Sequence, residues 1–463
     1  MTTFRFPDQK RSFFLLTFLG LTFGWAASFA QPSTALLDKV RQLAYADSVR
    51  LVTMFKDLHT HPELGFMEVR TAGIITKELT SLGYKVYSGI GKTGVVGILK
   101  NGEGPTVMFR GDMDALPVKE TTGLTYASTA TVKLPDGNEV PTMHACGHDA
   151  HVTWLLGIAK VMKTLQQEWK GTLVLVAQPA EEPIMGARAM REDSVFIKHV
   201  PLPDYLLAMH TGPFPTGMVM NLPGTRMAGT DQLDVTFRGV GGHGSSPQTA
   251  KDPIIMASEA ILQYQTIISR SNDPQTPAVL TVGSVQAGQD NNVIPASALV
   301  KVNFRWLKPE TRKLLYDGVS RIDSGIAISN GLPMGLFPIM KKKGYSFPVV
   351  NDSALVSRVN ATLQKIVKKG SLITSGFPTA MGSEDFHHLV LDNKKSVYDF
   401  IFVGTAPLDM VLAARKEGKA TPFSNHNGNY MVDLAGIPWG VQIGSDALLG
   451  LLKPQTKELT KSE

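Results

Sequence analysis

The chain's only cysteine, Cys146, stands two residues before His148 in the run M-H-A-C-G-H-D-A-H from Met143 to His151. With no disulfide partner in its own chain, its chemical value lies in its thiolate, as a nucleophile or a metal ligand. We read it as a ligand. Glu181 and Glu182 follow one apolar run, His210 ends another, and His426 sits in Asn425-His426-Asn427. Thiolate, imidazole and carboxylate together suit zinc or a neighbouring divalent ion such as manganese, cobalt or nickel, with ligands enough for two. The paired glutamates fit a hydrolase, which needs one carboxylate to hold metal and another free to move protons. Each piece alone has a plainer reading: Cys-x-His as buried packing, adjacent glutamates as a solvated turn.

Other chemistries fit these residues less well. A cysteine hydrolase could use Cys146, but His148 is too constrained in sequence to be an obvious base for it. The run from Gly241 to Ser246, G-G-H-G-S-S, lacks the lysine followed by serine or threonine of a phosphate loop. The H-x-E and P-C-x-x-C pair of zinc deaminases is absent. His59 and His61, ahead of Pro62, read as helix-end and loop histidines.

The elements that would position these groups follow from periodicity. Val95 to Leu99, Thr106 to Arg110, Thr172 to Ala177 and Tyr205 to Met209 read as short buried strands, and acidic or imidazole groups recur just beyond three of their ends. Open α/β sheets place their chemistry there. Helical patterns run from Leu36 to Leu58, Thr71 to Leu82 and Val152 to Gln167. Near Gly224 the pattern changes. A strand (Leu233 to Arg238), a helix (Asp252 to Arg270), two strands (Ala278 to Val285, Leu299 to Trp306), a helix (Glu310 to Asn330) and a last strand within Gly335 to Met340 give the ferredoxin-like β-α-β-β-α-β order. After Gly344 the α/β pattern resumes, with a helix from Ser353 to Lys369, a strand from Phe400 to Val403 and a closing helix from Leu434 to Leu452. The expected fold is therefore α/β, a mixed-sheet catalytic domain over 31–226 and 344–463 interrupted by a small domain at 227–343.

At 463 residues, two domains are the natural expectation, and 43% apolar with 19% charged residues describes a globular chain. Residues 1–30 read as a signal peptide: Arg5, Lys10 and Arg11, an apolar run from Phe13 to Ala27, then Ser28-Phe29-Ala30 as the cleavage site. A retained anchor is the rival reading. Cleavage after Ala30 would lower the formal charge from +6 to +4, because Asp8 leaves with the three bases. Lysine runs such as Lys341 to Lys343 read as solvated surface, and no basic stripe interleaved with aromatics points to nucleic acid. No later stretch is long and apolar enough for a membrane span. Thr460-Lys461-Ser462-Glu463 is not a retention signal of the K-D-E-L type. A periplasmic or secreted location is expected.

The order of motifs carries a resemblance. R-G-D-M-D-A-L-P (Arg110 to Pro117), M-H-A-C-G-H-D (Met143 to Asp149), Q-P-A-E-E (Gln178 to Glu182), M-H-T-G (Met209 to Gly212), G-G-H-G-S-S-P (Gly241 to Pro247), N-V-I-P (Asn292 to Pro295), G-S-E-D-F (Gly382 to Phe386) and Asn425-His426-Asn427 resemble the amidohydrolase subgroup of the di-metal aminoacylase and carboxypeptidase superfamily. That subgroup includes hippurate hydrolases, N-acyl-amino-acid deacylases and auxin-conjugate hydrolases. The resemblance implies two divalent metal ions bridged by Cys146 and completed by His148, Glu182, His210 and His426, with Glu181 as catalytic base and Asp114 in support; Asp112 is less certain. It also implies a homodimer through the inserted lid, His243 stabilising the oxyanion in its own or a partner's site, and Asn292, Arg305 and Gly382 at the substrate.

The sequence departs from the pattern at Pro183, where many relatives have glycine, and at Asn427-Gly428-Asn429-Tyr430, where a proline is common; both are expected to line the pocket. Glu384-Asp385 and His387-His388 read as a pocket loop and helix start. The expected substrate is an N-acyl amino acid or peptide-like amide. A dipeptidase or carboxypeptidase is the nearest alternative. A non-catalytic metal-loaded binder is a different class, which a free Glu181 argues against.

Overall fold

The computed structural model describes residues 31–134 and 137–454. The expected leader and the last four residues lie outside these. The large sheet runs in the order Lys85–Ile90, Gly94–Asn101, Trp169–Gln178, Thr106–Asp112, Tyr205–Pro215, Val397–Ala406, Val219–Met220, Leu372–Ile373. Its four central strands, Trp169–Gln178 through Val397–Ala406, are mutually parallel, while Gly94–Asn101 and Lys85–Ile90 extend one side antiparallel. Parallel strands need cover on both faces. One face packs on a core around Phe109, Leu175 and Leu207, the other on a core around Met108, Val174 and Leu206. The strands therefore read as apolar runs rather than alternating ones.

Helix His148–Thr164 lies in the first core and is buried almost all round, with Trp154, Leu155 and Ile158 fully enclosed. It begins four residues earlier than periodicity indicates, because His148, Asp149 and His151 are polar yet buried. The closing helix Gly436–Leu451 packs against it at glycine contacts. A Cβ at Gly440 would lie 2.1 Å from Trp154 Cε2, and one at Gly157 2.4 Å from Val441 Cγ2.

The expected helix from Leu36 to Leu58 is two helices, Thr34–Ala46 and Ser48–Thr60, broken at Asp47. Asp47 pairs there with Arg50 at 2.7 Å and Lys160 at 2.7 Å, contacts that no periodicity reveals. The helix expected to reach Lys369 stops at Leu363.

Between these parts lies a four-stranded antiparallel sheet in the order Ala278–Ala287, Ser297–Trp306, Gly229–Arg238, Ile339–Ser346, with helices Pro253–Thr266 and Pro309–Ser329 on one face. This is the ferredoxin-like arrangement, with a core of its own built on Val235, Phe237, Val300, Phe304 and Leu315. Strand Ser297–Trp306 alternates cleanly: Val302, Phe304 and Trp306 are buried, whereas Asn303 and Arg305 turn to the other face. The last strand runs on to Ser346, where the Ser346 hydroxyl donates to Glu384 O at 2.6 Å and so ties the small sheet to the loop of Glu384, whose side chain in turn meets Arg110 of the large sheet.

Candidate metal centre and active site

Glu181 and Glu182 stand just past the end of the Trp169–Gln178 strand, on a turn where Ala180 and Ile184 take φ values of 47° and 58°. Such a conformation costs a non-glycine residue roughly 1–3 kcal/mol, and it is an outlier for a β-branched one. The turn is over-determined. Ala180 N donates to Glu68 Oε1 at 2.8 Å and Ile184 N to Glu181 O at 2.6 Å. A Cβ at Gly186 would sit 1.5 Å from Pro179 O, so only glycine fits there. Glu182 N donates to Asp114 Oδ2 at 3.0 Å, and Asp114 Oδ1 lies 3.2 Å from His148 Nδ1. The Asp114 carboxylate thus ties the glutamate turn to the start of the histidine helix.

Gly147, at φ 84°, turns the chain between Cys146 and His148, which is the first residue of its helix. His148 Nε2 faces Asp112 Oδ2 at 3.5 Å, Glu182 Oε1 at 3.9 Å and Glu181 Oε2 at 4.0 Å. His210 Nδ1 lies 2.7 Å from Thr211 O, and since a carbonyl only accepts, that nitrogen carries the proton. Its Nε2 lone pair is left 3.5 Å from Cys146 Sγ. His426, with φ 65°, donates its N–H to Ala145 O at 2.8 Å and brings Nε2 to 3.3 Å from Glu182 Oε2. The five expected ligands and Glu181 are therefore gathered from four separate segments.

These residues fit a divalent cation. His148 Nε2 and Glu182 Oε1 are buried with no hydrogen-bond partner, although buried polar atoms are rarely left so. The donor atoms of Cys146, Glu182 and His426 lie within 4.8 Å of one another, as do those of His148, Glu181 and Glu182. The electrostatics point the same way. Burial, then Glu384 and Glu182, push the Glu181 carboxyl well above the usual range, and burial pushes Glu182 up to about 8. Burial and Glu182 push the Cys146 thiol up to about 12. This pocket gathers protonated acids around the donor atoms, and metal would enter it with release of protons.

The neighbours divide into supports and bystanders. His151 Nδ1 is 2.5 Å from Asp112 Oδ1 and its Nε2 accepts from Thr211 N at 2.9 Å, so both ring nitrogens are engaged. This removes it as a ligand even though it lies in the same acid-imidazole group as His148 and His210. His144 is buried, and burial lowers its pKa to about 4. His59 lies in the last turn of helix Ser48–Thr60, where it bridges Asp149 at 2.6 Å and Glu120 at 3.2 Å in the interior. His61 is exposed beside Asp57.

Sequence reasoning missed the most buried cation. Arg110 is fully enclosed and pairs with Asp112 at 2.6 Å and Glu384 at 2.8 Å, with Gln178 Oε1 at 2.9 Å. Glu384 and Asp385 stand in a loop that leads into the short helix Phe386–Leu389, and both are buried under the site; Asp385 accepts from Gln178 Nε2 at 2.5 Å. Asn425, whose Nδ2 donates to Cys146 Sγ at 3.2 Å, was also passed over. Both lay inside motifs already marked, but only the fold shows what they touch.

The residues expected at the substrate and the oxyanion fall into two places. Arg305 is half-buried, donating to Ser383 Oγ at 2.5 Å and Asn303 Oδ1 at 2.8 Å, close enough for its charge to act on Glu181 and His426. Gly382 adjoins Ser383 and its carbonyl accepts from Ala228 N at 2.9 Å. His243 and Asn292 lie elsewhere, together and exposed: His243 pairs with Val293 in a short ladder, Gly244 N donates to Asn292 O at 2.7 Å, and Ser245 Oγ lies 2.7 Å from His243 Nδ1.

A mixed α/β sheet with its reactive groups beyond the strand ends, interrupted by a ferredoxin-like unit, defines the metallopeptidase and aminoacylase class of fold. The chain belongs to the peptidase family M20/M25/M40, whose family model matches residues 108–413. It is 39% identical over 347 residues to a hippurate hydrolase of Campylobacter jejuni, covering 74% of this chain and 85% of that one. It is 29% identical over 458 residues to the IAA-amino acid hydrolase ILR1-like 2 of Arabidopsis thaliana, covering 96% of each. Among solved structures, the Bacillus subtilis YXEP protein, described as a dinuclear metal binding peptidase from the M20 family, superposes with a TM-score of 0.66 at 28% identity, over 89% of this chain and all of that one.

Proposed function

We propose that this protein is a metal-dependent amidohydrolase that cleaves N-acyl amino acids or related amide conjugates to a carboxylic acid and an amine. The observation that carries this reading is the strained turn that puts two adjacent carboxylates against Cys146, His148 and His426, with His210 beside Cys146 and with His148 Nε2 and Glu182 Oε1 buried and unpartnered. Cys146, His148, Glu182, His210 and His426 would hold two divalent ions, in keeping with the dinuclear description of the Bacillus relative. When bound, such ions lower the pKa of water and draw charge from a carbonyl oxygen.

Glu181 is the base. Its burial and acidic neighbours raise its affinity for a proton, which suits a group that must take one from water and return it to the leaving amine nitrogen. Arg305 would meet the substrate carboxylate, since its guanidinium fork matches two oxygens at once. His243, exposed with Asn292 in a single subunit, is read as serving a partner's site across a homodimer. The leader-like residues 1–30 support action outside the cytoplasm.

The test is a hydrolysis panel of acetyl, benzoyl, indole-acetyl and aminoacyl conjugates with manganese or zinc added. Cleavage of the N-blocked amino acids is expected. Cleavage confined to unblocked dipeptides would replace this reading with a dipeptidase, and metal binding without turnover of any amide would replace it with a binding protein.

A further inference from the structure

We propose that the acyl half of the substrate carries a carboxylate of its own, received by Arg226 in an apolar cavity beside the Cys146 cluster. The proposal rests on the amidohydrolase reading above and narrows its substrate class. The cavity has a volume of about 350 Å³, inside the range of roughly 300–1,000 Å³ usual for small-ligand sites. Its wall is largely apolar and aromatic, with Phe214, Met218, Met220, Phe377 and Phe402 among its lining residues.

The cavity adjoins the reactive cluster. Asn425 and Thr211 line it, and both touch Cys146: Asn425 Nδ2 donates to Sγ at 3.2 Å and Thr211 Oγ1 donates to the Cys146 carbonyl at 3.0 Å. The rings of Phe400 and Phe402 stand 6.0 and 6.1 Å from that of His210. An amide carbon held at the cluster therefore has this cavity open to one of its two substituents. Arg305, assigned to the amino-acid carboxylate, is not among the lining residues, so the cavity falls to the acyl group.

Two cations interrupt the apolar wall, Arg226 and Arg415, and no acidic side chain lines it. Arg226 is the better placed. It is half-buried, its backbone is fixed in the Gly224–Met227 strand with its carbonyl accepting from Ala380 N at 3.0 Å, and its Nε is buried with no hydrogen-bond partner. Among the described residues no carboxylate pairs with it. Burial alone pulls its pKa below the ordinary guanidinium value. A guanidinium partly withdrawn from water without gaining an acid is poised to accept one from a ligand, and its fork can take a carboxylate bidentately. Arg415, on the exposed face of helix Leu408–Lys416, is left to solvent.

The experiment compares kcat/KM on the intact, manganese-loaded chain for two matched pairs: N-(4-carboxybenzoyl)glycine against N-benzoylglycine, and N-glutarylglycine against N-pentanoylglycine. The readout is the ratio within each pair, which cancels any loss of folded enzyme in a variant. The native chain is expected to favour the carboxylated member of at least one pair by about tenfold or more, less than an enclosed polar partner achieves because Arg226 is only half-buried. Arg226→Met should bring that ratio down to about 1, and Arg226→Lys should restore part of it. A native preference for the neutral acyl groups in both pairs would overturn the proposal. So would a ratio that survives Arg226→Met; if Arg415→Met abolished it instead, the carboxylate would belong to Arg415. If none of the four probes is cleaved while unblocked dipeptides are, the amidohydrolase reading itself fails and takes the proposal with it.

Discussion

At the scale of single residues, two adjacent carboxylates stand in different surroundings, and the proposed function gives them different tasks. Glu182 is tied on both sides, by its N–H to Asp114 and by its side chain facing His426 and His148, whereas Glu181 meets His148 only at 4.0 Å and otherwise has the acidic neighbours Glu384 and Glu182 and the charge of Arg305 around it. Glu181→Ala should retain metal, read by elemental analysis of the purified protein, while kcat falls by about 10²–10⁴. Full activity of that variant would sink the mechanism. Arg110 has no such freedom. It is the buried countercharge of Asp112 and Glu384, both almost fully enclosed. Arg110→Met leaves those carboxylates buried without a cation, and denaturant melts should show a loss of about 3–5 kcal/mol.

Among the elements, the helix that begins at His148 depends on close approach to the closing helix. Gly440→Ala would gain about 1 kcal/mol of helix propensity, but its methyl would meet the Trp154 ring, which is fully buried and pinned by a 3.1 Å hydrogen bond to Gly436 O. Overpacking of this kind costs about 1–3 kcal/mol, so the clash outweighs propensity and a lowered Tm is expected. Gly73, with nothing within 4 Å of its Cβ position, is the control: alanine there should raise Tm. In the small sheet's core, burial raises the Asp323 carboxyl to about 7, against a Tyr264 hydroxyl that donates to it at 2.5 Å. A raised folded pKa gives stability that is whole below about pH 4 and lost as pH climbs through 7. Asp323→Asn should flatten that decline, and thermal melts between pH 4 and 8 would reveal it; a slope unchanged in the variant would exclude Asp323 as its source.

For the molecule as a whole, bound metal should be part of the fold as well as of the chemistry. The cluster joins the strand end at Glu181, the helix start at His148, the strand carrying His210 and the loop of His426, segments otherwise linked through the core. Ions that bind only the folded state stabilise it by about 2.7 kcal/mol at a hundredfold excess over Kd. Chelation is expected to abolish hydrolysis and lower Tm together, with manganese or zinc restoring both. Cys146→Ala should resemble the chelated protein and respond weakly to added metal. A Tm indifferent to chelator would separate the metal from the fold.

Much of this was legible in the sequence because it was local. The β-α-β-β-α-β order follows from alternation and helical period, and the ligand types follow from the chemistry of a lone cysteine, paired glutamates and histidines at strand ends. What periodicity misread were places where a distant partner overrides local preference. The first helix breaks at Asp47 because Lys160 waits there, and His148 is helical because buried acids satisfy it. His148 and His151 look alike in sequence, and only tertiary contacts leave one with an unpartnered ring nitrogen and the other with none. The sequence alone thus determined which groups were present for metal chemistry and the order of the elements carrying them. The tertiary structure decided which of them stand together, because burial and hydrogen bonding are set by residues up to hundreds of positions away.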